Sequence, residues 1–268
     1  MNNANVININ AQEGVRFVLF PDNQPHVIVD PELAGNRVSV RCRLRSSLDV
    51  MHLLQVANAL DNLHCKKGFL YIPYLLGARS DRVIEPGSSV DLKVVADMIN
   101  YCNFEAVHLL DVHSSIALQL INRSVNHDAK FLLDAVAPFR KDTVIICPDA
   151  GAVNRALEAM NYCPEITDIV YCIKHRDKNG QVRLRVIDPE ICRDRNCVVV
   201  DDICDGGATF TRIAEQVDST HLTLVVTHGI FSKGVEKLES YYDMIYLSDS
   251  YQTISRNKVT TIRTPDIC

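Results

Sequence analysis

Short runs of consecutive apolar residues, rich in valine and isoleucine, recur along the chain and alternate with amphipathic segments. Apolar residues at successive positions are typical of strands buried on both faces, as in a parallel sheet. We predict strands at Val15–Phe20, Val38–Arg43, Phe69–Ile72, Val107–Leu110, Val144–Cys147, Ile169–Ile173, Val198–Asp201, Leu222–Val226 and Met244–Leu247. Alternation of such strands with helices predicts an α/β fold of mainly parallel sheets flanked by helices.

The number of predicted strands exceeds what one compact sheet usually holds, so two α/β units are expected in these 268 residues. A proline and charged residues separate two apolar runs near residues 137–141. This predicts an N-terminal domain over 1–138 and a C-terminal domain over 139–257. A strand near 258–268 is expected to complete the N-terminal domain.

Helices are expected between the strands. Ser47 is predicted to cap one helix, whose buried stripe would consist of Leu48, Met51, Leu54 and Ala57.

Composition excludes several classes of protein. A net charge of −5 and a pI near 6.0 give no general attraction for nucleic acid. No apolar run is long enough to span a membrane, and residues 1–10 do not resemble a secretory signal. The ten cysteines form no Cys-x-x-Cys pair and lie mostly in apolar runs, which favours a cytoplasmic protein in a reducing environment.

The most informative run is Cys197–Phe210, in which an apolar strand leads into aspartates, glycines and then a helix. Paired carboxylates at a strand end can accept hydrogen bonds from vicinal sugar hydroxyls, and a glycine-rich turn lets backbone amides approach a phosphate. The run therefore predicts a site for a ribose that carries a phosphate. The predicted site consists of Asp201, Asp202, Asp205, Gly206, Gly207, Ala208 and Thr209. The alternative is a simple strand-to-helix turn with Asp205 as its N-cap.

A locally basic segment, 174–185, stands out in this acidic chain. Asn179 and Gly180 are a strong signal for a two-residue turn, which predicts an exposed β-hairpin with a cationic face. Lys174 and Arg176 are two residues apart and share a face of a strand. A solvated arm without a binding role is the alternative.

The acidic run resembles the ribose 5-phosphate motif of the type I phosphoribosyltransferase fold. With five further motifs between residues 20 and 210, the chain resembles a divergent short branch of the ribose-phosphate diphosphokinases. Those enzymes transfer the β,γ-diphosphate of ATP to the anomeric hydroxyl of ribose 5-phosphate, with magnesium. The resemblance implies two type I phosphoribosyltransferase-like domains, Mg²⁺ as cofactor, ATP as co-substrate and a homo-oligomer.

Two of these motifs imply ATP contacts. Phe20–Gln24 resembles Phe-x-Asp-Gly-Glu, whose Phe and Asp contact the adenine in a neighbouring subunit, although Asn23 and Gln24 replace the glycine and glutamate. Ile72–Arg82 resembles Ile-Pro-Tyr-x-x-x-Ala-Arg-Gln-Asp-Arg, with Ser80 in place of the glutamine. The guanidinium fork of an arginine suits phosphate oxygens, but a surface ion-pair loop is also consistent. The implied ATP-binding residues are Phe20, Asp22, Gln24, Arg79, Asp81 and His113.

Two further motifs imply metal ligands. His113, in Asp111–Ser115, resembles the family's Asp-Leu-His, and Asp149 follows a strand in a Pro-Asp-x-Gly-like motif. Magnesium prefers oxygen ligands, which suits Asp149. A structural hydrogen bond for His113 and an N-cap for Asp149 are the alternatives.

The fifth motif, Ile173–Arg176, resembles the family's Lys-Arg-Arg at the stem of a flexible catalytic hairpin. It implies that Lys174 and Arg176 are catalytic, contacting the diphosphate as it is transferred.

The sequence of the glycine-rich turn Asp205–Thr209, called the phosphate turn below, does not decide which acceptor binds. Gly206 stands where the family has threonine, and Ala208 where it has glycine. Loss of a hydroxyl and of side-chain volume favours a substituted phosphate, so ADP-ribose, as in NAD salvage, is an alternative acceptor. A phosphoribosyltransferase that consumes the diphosphorylated sugar and a non-catalytic regulatory homologue are further alternatives.

Overall fold

A computed structural model describes residues 5–135, 142–163, 166, 168–176 and 182–267. These residues form two compact units. One contains the described residues through Asp128 together with those from Pro265 onward, and the other extends from Ala129 to Thr264. The predicted boundary between residues 138 and 139 falls outside the described residues and stays a prediction. No helix in the described parts of the chain combines the length and apolar character needed to cross a membrane.

The first unit contains a five-stranded sheet. Its strands are β1 (Val6–Asn8), β4 (Arg37–Arg41), β5 (Lys66–Ile72), β6 (Ala106–Leu110) and β7 (Ser124–His127). They lie in the order β1-β4-β5-β6-β7, and each neighbouring pair is parallel. The helices of this unit are α1 (Ser47–Asn62), α2 (Asp91–Tyr101) and α3 (Ile116–Leu120).

Burial of aliphatic side chains holds this sheet against its helices. Val38, Val40 and Leu70 on the strands are fully buried, and they share a core with Leu53 and Val56 of α1. Full burial of such a side chain contributes about 1.5–3 kcal/mol. The β-branched strands and the apolar face of α1 therefore stabilise each other.

A separate antiparallel hairpin forms from β2 (Val15–Leu19) and β3 (Pro25–Val29). The strand predicted at Val15–Phe20 is confirmed, except that it ends one residue earlier. It is not part of a parallel sheet, because its pairing partner is the adjacent segment of chain.

The second unit contains a seven-stranded sheet. Its strands are β8 (Thr143–Cys147), β9 (Asp168–Arg176), β10 (Val182–Val186), β11 (Asn196–Cys204), β12 (His221–Gly229), β13 (Met244–Ser248) and β14 (Val259–Ile262). They lie in the order β10-β9-β8-β11-β12-β13-β14, and β9–β10 is the antiparallel pair. Its helices are α4 (Lys130–Ala135), α5 (Val153–Tyr162), α6 (Ala208–Ala214) and α7 (Glu236–Glu239). The predicted fold class is confirmed.

Long-range packing places two segments near the predicted domain borders. β14 pairs with β13 in the second sheet, whereas the described residues from Pro265 onward belong to the first unit, so completion of the N-terminal domain by residues 258–268 stays a prediction. The helix α4 belongs to the second unit, since Leu132 is buried with Ile145 and Val198. A local apolar pattern specifies neither placement.

The cap of α1 also differs from the prediction. Ser46, and not Ser47, is the N-cap, and its Oγ accepts a hydrogen bond from the Asp49 amide at 3.2 Å. Ser46 Oγ also donates to Asp49 Oδ2 at 2.9 Å, so the two side chains support each other at the first turn.

We predict that Ser46→Ala lowers the free energy of unfolding by about 1 kcal/mol, because the Asp49 amide loses its acceptor. Urea denaturation measures this change. Ser47→Ala is the matched control and is expected to leave stability within about 0.5 kcal/mol of the parent. A larger loss in the control than in Ser46→Ala would contradict this assignment of the cap.

Candidate functional site

The acidic pair lies within β11, which continues beyond the predicted end at Asp201. Pairing of β11 with β8 runs only to Val199, whereas pairing with β12 continues through Asp201 to Cys204. Asp201 and Asp202 therefore lie beyond the part of β11 that pairs with β8, where β11 is still flanked by β12. In open α/β sheets, this carboxyl edge is where ligands bind.

The two carboxylates are held in a poorly solvated environment. Asp202 is 6% exposed, and its amide donates to Asp201 Oδ1 at 2.9 Å. Burial raises the pKa of Asp201 well above its ordinary value, and the neighbouring charge of Asp202 raises it further. The guanidinium of Arg155 acts in the opposite direction. The pair therefore favours hydrogen-bond donors or a cation as its partner.

Arg155 of α5 was not among the predicted site residues, although its charge lowers the pKa of Asp201. Its sequence signal was its position in the motif that begins at Pro148, six residues after Asp149. Sequence reasoning missed its role because no local sequence pattern indicates that the start of α5 lies close to the end of β11.

A tight turn follows β11. Gly207 has φ of +74°, in the left-handed region, and is the N-cap of α6. A Cβ on Gly207 would also lie 3.2 Å from Leu238 Cδ1. Asp205 is therefore not the N-cap, and α6 begins at Ala208. The predicted segment Asp205–Thr209 thus consists of a tight turn and the first two residues of α6, and it directly follows the strand that carries the acidic pair.

Asp149 and Lys174 meet at the ends of two adjacent strands. Lys174 Nζ lies 3.4 Å from Asp149 Oδ2. Asp149 Oδ1 accepts from the Gly151 amide at 3.0 Å, so this residue also caps the short 3-10 turn Ala150–Ala152. Asp149 is thus an N-cap, but of this 3-10 turn and not of the helix α5 expected from the sequence, whose N-cap is Ala152. The same carboxylate holds the lysine. The backbone of Arg176, the last residue of β9, pairs with Val182.

The predicted basic hairpin is present as the antiparallel pair β9–β10. In it, Lys174 pairs with Leu184 and His175 with Arg183. The predicted turn at Asn179 and Gly180 lies outside the described residues.

The Phe20–Gln24 turn joins the two strands of the hairpin in the first unit. The Phe20 amide donates to the Gln24 carbonyl at 3.0 Å, and Asp22 Oδ1 accepts from the Gln24 amide at 3.1 Å. Asn23 has φ of +67°, as expected for a residue that replaces glycine. Phe20 is 43% exposed, which leaves its ring accessible at the tip of the hairpin.

Arg79 and Asp81 follow β5 in the same unit. Arg79 is exposed and lines an open pocket, and Asp81 Oδ1 lies 3.8 Å from Arg82 Nε. The residues that line the pocket are Tyr74, Leu76, Gly77, Ala78, Arg79 and Ser80. Ser80 accepts from the Leu92 amide at 3.1 Å through its carbonyl, so the residue that replaces the family glutamine anchors the start of α2.

His113 is exposed in the loop that follows β6, whereas Asp149 belongs to the second unit. Within the described residues, no group of three or more His, Cys, Asp or Glu side chains is arranged to hold a metal ion. Magnesium needs only one or two protein oxygens when substrate phosphates and waters complete its shell. The carboxylate of Asp149 suits that mode of binding.

Comparison with known proteins agrees with this geometry. Residues 117–262 match the family model of the phosphoribosyl transferase domain, which is more than half of the chain. The chain belongs to this family. The resemblance to ribose-phosphate diphosphokinases is confirmed by curated relatives named ribose-phosphate pyrophosphokinase.

Two of those relatives are ribose-phosphate pyrophosphokinases from archaea. The Aeropyrum pernix protein is 29% identical over 202 residues, which cover 72% of this chain and 64% of the relative. The Pyrococcus abyssi protein is 24% identical over 260 residues, covering 93% and 86%. The crystal structure of phosphoribosylpyrophosphate synthetase from Mycobacterium smegmatis superposes with a TM-score of 0.83 at 17% identity, over 97% of this chain and 94% of the other. This last likeness concerns the fold.

We predict that Asp201→Asn raises the melting temperature of this phosphoribosyl transferase domain at pH 7.5. The folded-state pKa of Asp201 lies above the unfolded value of 3.8, so stability falls as pH rises from there through the folded pKa. Each kcal/mol recovered by the amide corresponds to about 2–4 °C.

Thermal unfolding measured from pH 4 to pH 8 tests this prediction. The advantage of the variant is expected to shrink towards pH 4, because the unfolded parent carboxyl then becomes partly protonated, as the folded one already is. Asp218→Asn, at an exposed aspartate of the same unit, is the control. A variant less stable than the parent at pH 7.5 would show that the Asp201 charge is well compensated.

Proposed function

We propose that this protein transfers the β,γ-diphosphate of ATP to the C1 hydroxyl of ribose 5-phosphate, giving phosphoribosyl pyrophosphate and AMP. The observation that carries the proposal is the carboxyl edge of the second sheet. There, the half-buried Asp201, the buried Asp202, the turn 205–209 and the Asp149–Lys174 ion pair all belong to one unit. The names of the relatives support the same reaction.

The acceptor would bind at β11. Asp201 and Asp202 accept hydrogen bonds from the vicinal ribose hydroxyls. These donors offset the repulsion between the two neighbouring carboxylates. The turn Asp205–Thr209 holds the 5-phosphate through backbone amides, and Gly206 and Gly207 permit the close approach. This fixes the C1 hydroxyl for attack.

The donor would lie beside β9. The C1 oxygen bonds to the β-phosphorus, the bond from the β-phosphorus to the bridging oxygen of the α-phosphate breaks, and AMP leaves. Lys174 and Arg176 stabilise the charge that shifts during this transfer. Phe20, Asp22, Gln24, Arg79 and Asp81 are the proposed nucleotide contacts.

Magnesium is the proposed metal. His113 in the first unit and Asp149 in the second are each proposed to ligate a magnesium ion together with substrate oxygens. When bound, it neutralises charge on the phosphates. Asp149 pairs with Lys174, so a bound magnesium ion would compete with the lysine for this carboxylate.

The reaction is tested by incubating the protein with Mg-ATP and ribose 5-phosphate and following AMP by chromatography. We expect AMP to form in proportion to the added sugar phosphate. AMP formation that does not depend on the added ribose 5-phosphate would reject the proposal, as would release of a free base from a nucleotide.

We predict that Lys174→Ala lowers kcat by about 10²–10³-fold, because a preorganised cation is lost at the transferring group. Stability is expected to change by at most about 1 kcal/mol, since the ion pair with Asp149 is partly exposed.

Arg183→Ala is the matched control for charge. Arg183 is exposed on β10 and pairs with His175, so its side chain lies on the face opposite to that of Lys174. A near-normal kcat in Lys174→Ala, or an equal loss in Arg183→Ala, would remove Lys174 from the mechanism.

ADP-ribose is a second candidate acceptor, and the surroundings of Gly206 favour it. The atoms nearest to a Cβ built there belong to the flexible side chain of Lys233, at 3.6 Å. Because this stem can shift and no threonine side chain is present at 206, the turn can accommodate a phosphate that carries a substituent. A side-by-side comparison of kcat/KM for ribose 5-phosphate and ADP-ribose, again following AMP, decides between them.

A homo-oligomer, dimer or larger, is also proposed, because the family's counterpart of the Phe20–Gln24 turn serves an adjacent subunit. The exposed ring of Phe20 is consistent with such a contact. Light scattering of the parent and of Phe20→Ala tests the size of the assembly and the role of the turn.

A further inference from the structure

The loop that follows β12 is tied to the start of the phosphate turn. The amides of Ile230 and Phe231 donate to the carbonyl of Cys204, at 2.8 and 3.1 Å. Cys204 immediately precedes Asp205. The loop and the turn therefore share one hydrogen-bonded base.

Packing gives this loop a defined shape. Phe231 is buried with φ of +47°, and a Cβ on Gly229 would overlap its ring. The Gly234 amide closes the turn by donating to the Phe231 carbonyl at 2.8 Å, and Gly234 itself has φ of +78°. Lys233 lies inside this turn, so its backbone position is determined.

The side chain of Lys233 crosses the space that a residue larger than glycine would occupy at 206. A Cβ on Gly206 would lie 3.6 Å from both Cδ and Cε of Lys233. The ammonium is one bond beyond Cε. Among the described residues, no carboxylate pairs with Lys233, which is exposed. A cation without an acidic partner thus lies against the proposed phosphate turn.

We propose that Lys233 binds the 5-phosphoryl group of the ribose acceptor, in place of the hydroxyl that a threonine at 206 would supply. This inference rests on the proposed function. An ammonium can form charge-assisted hydrogen bonds to phosphate oxygens, which are about twice as strong as neutral ones. The flexible lysine stem suits either a terminal phosphate or one that carries a substituent, so Lys233 defines the acceptor class as 5-phosphorylated riboses.

The test compares Lys233→Met with the parent, because methionine keeps an unbranched stem and removes the charge. We expect the KM for ribose 5-phosphate to rise by about tenfold with little change in kcat. Calorimetric titration with ribose 5-phosphate in the absence of ATP should show the same loss of affinity. Lys237→Met, at an exposed lysine of α7, is the charge-matched control and should keep the parent KM.

A second variant makes the test specific. Adding Gly206→Thr to Lys233→Met should recover part of the affinity, since the hydroxyl then takes the space and the role of the ammonium. The same titrations with ADP-ribose show whether the contact is made to a terminal or to a substituted phosphate. Equal KM values for Lys233→Met and the parent on both acceptors would overturn the inference.

Failure of the inference and failure of the proposed function give different results. If the parent forms no AMP with either acceptor, the diphosphotransfer is rejected, and calorimetry still reports on Lys233. If the parent is active and binds both acceptors as well as Lys233→Met does, only the role of Lys233 is rejected.

Discussion

The candidate site depends on one constraint in the second sheet, which is that β11 pairs with β12 over more residues than it pairs with β8. Because β11 stays paired with β12 after its pairing with β8 has ended, Asp201 and Asp202 are held rigidly at an open edge of the sheet. The same extension brings Cys204 to the point where it accepts two amides from the loop after β12. One strand thus positions the acidic pair, the phosphate turn and Lys233.

This arrangement has an energetic cost within the fold. Two adjacent carboxylates, with Asp202 nearly inaccessible to water, raise the pKa of Asp201 and weaken the folded state at neutral pH. A sheet of aliphatic side chains, such as Val199 and Val200 just before them, supplies the stability that offsets this cost. A bound sugar that donates hydroxyl hydrogens would relieve the same repulsion, so the site is matched to ligands rich in donors.

Helix α1 illustrates why periodicity alone was insufficient. Its predicted stripe included Leu48 and Met51, which are 50% and 45% exposed, whereas Val50 and Leu53 are buried. Apolar residues occur on more than one face of this helix, and only the sheet decides which face packs. In the same way, the partner of β14 depended on packing between distant segments, which no local pattern could indicate.

The sequence by itself determined the α/β class, most strand positions and the residue types of the acidic run, because buried parallel strands require consecutive apolar residues and phosphate turns require glycine. Tertiary structure alone decided that Asp149 pairs with Lys174, that the charge of Arg155 acts on Asp201 and that the side chain of Lys233 lies against Gly206. These pairs join the ends of separate elements. Their meeting depends on strand order and on the length of each pairing, which is a property of the assembled sheet and not of any one segment.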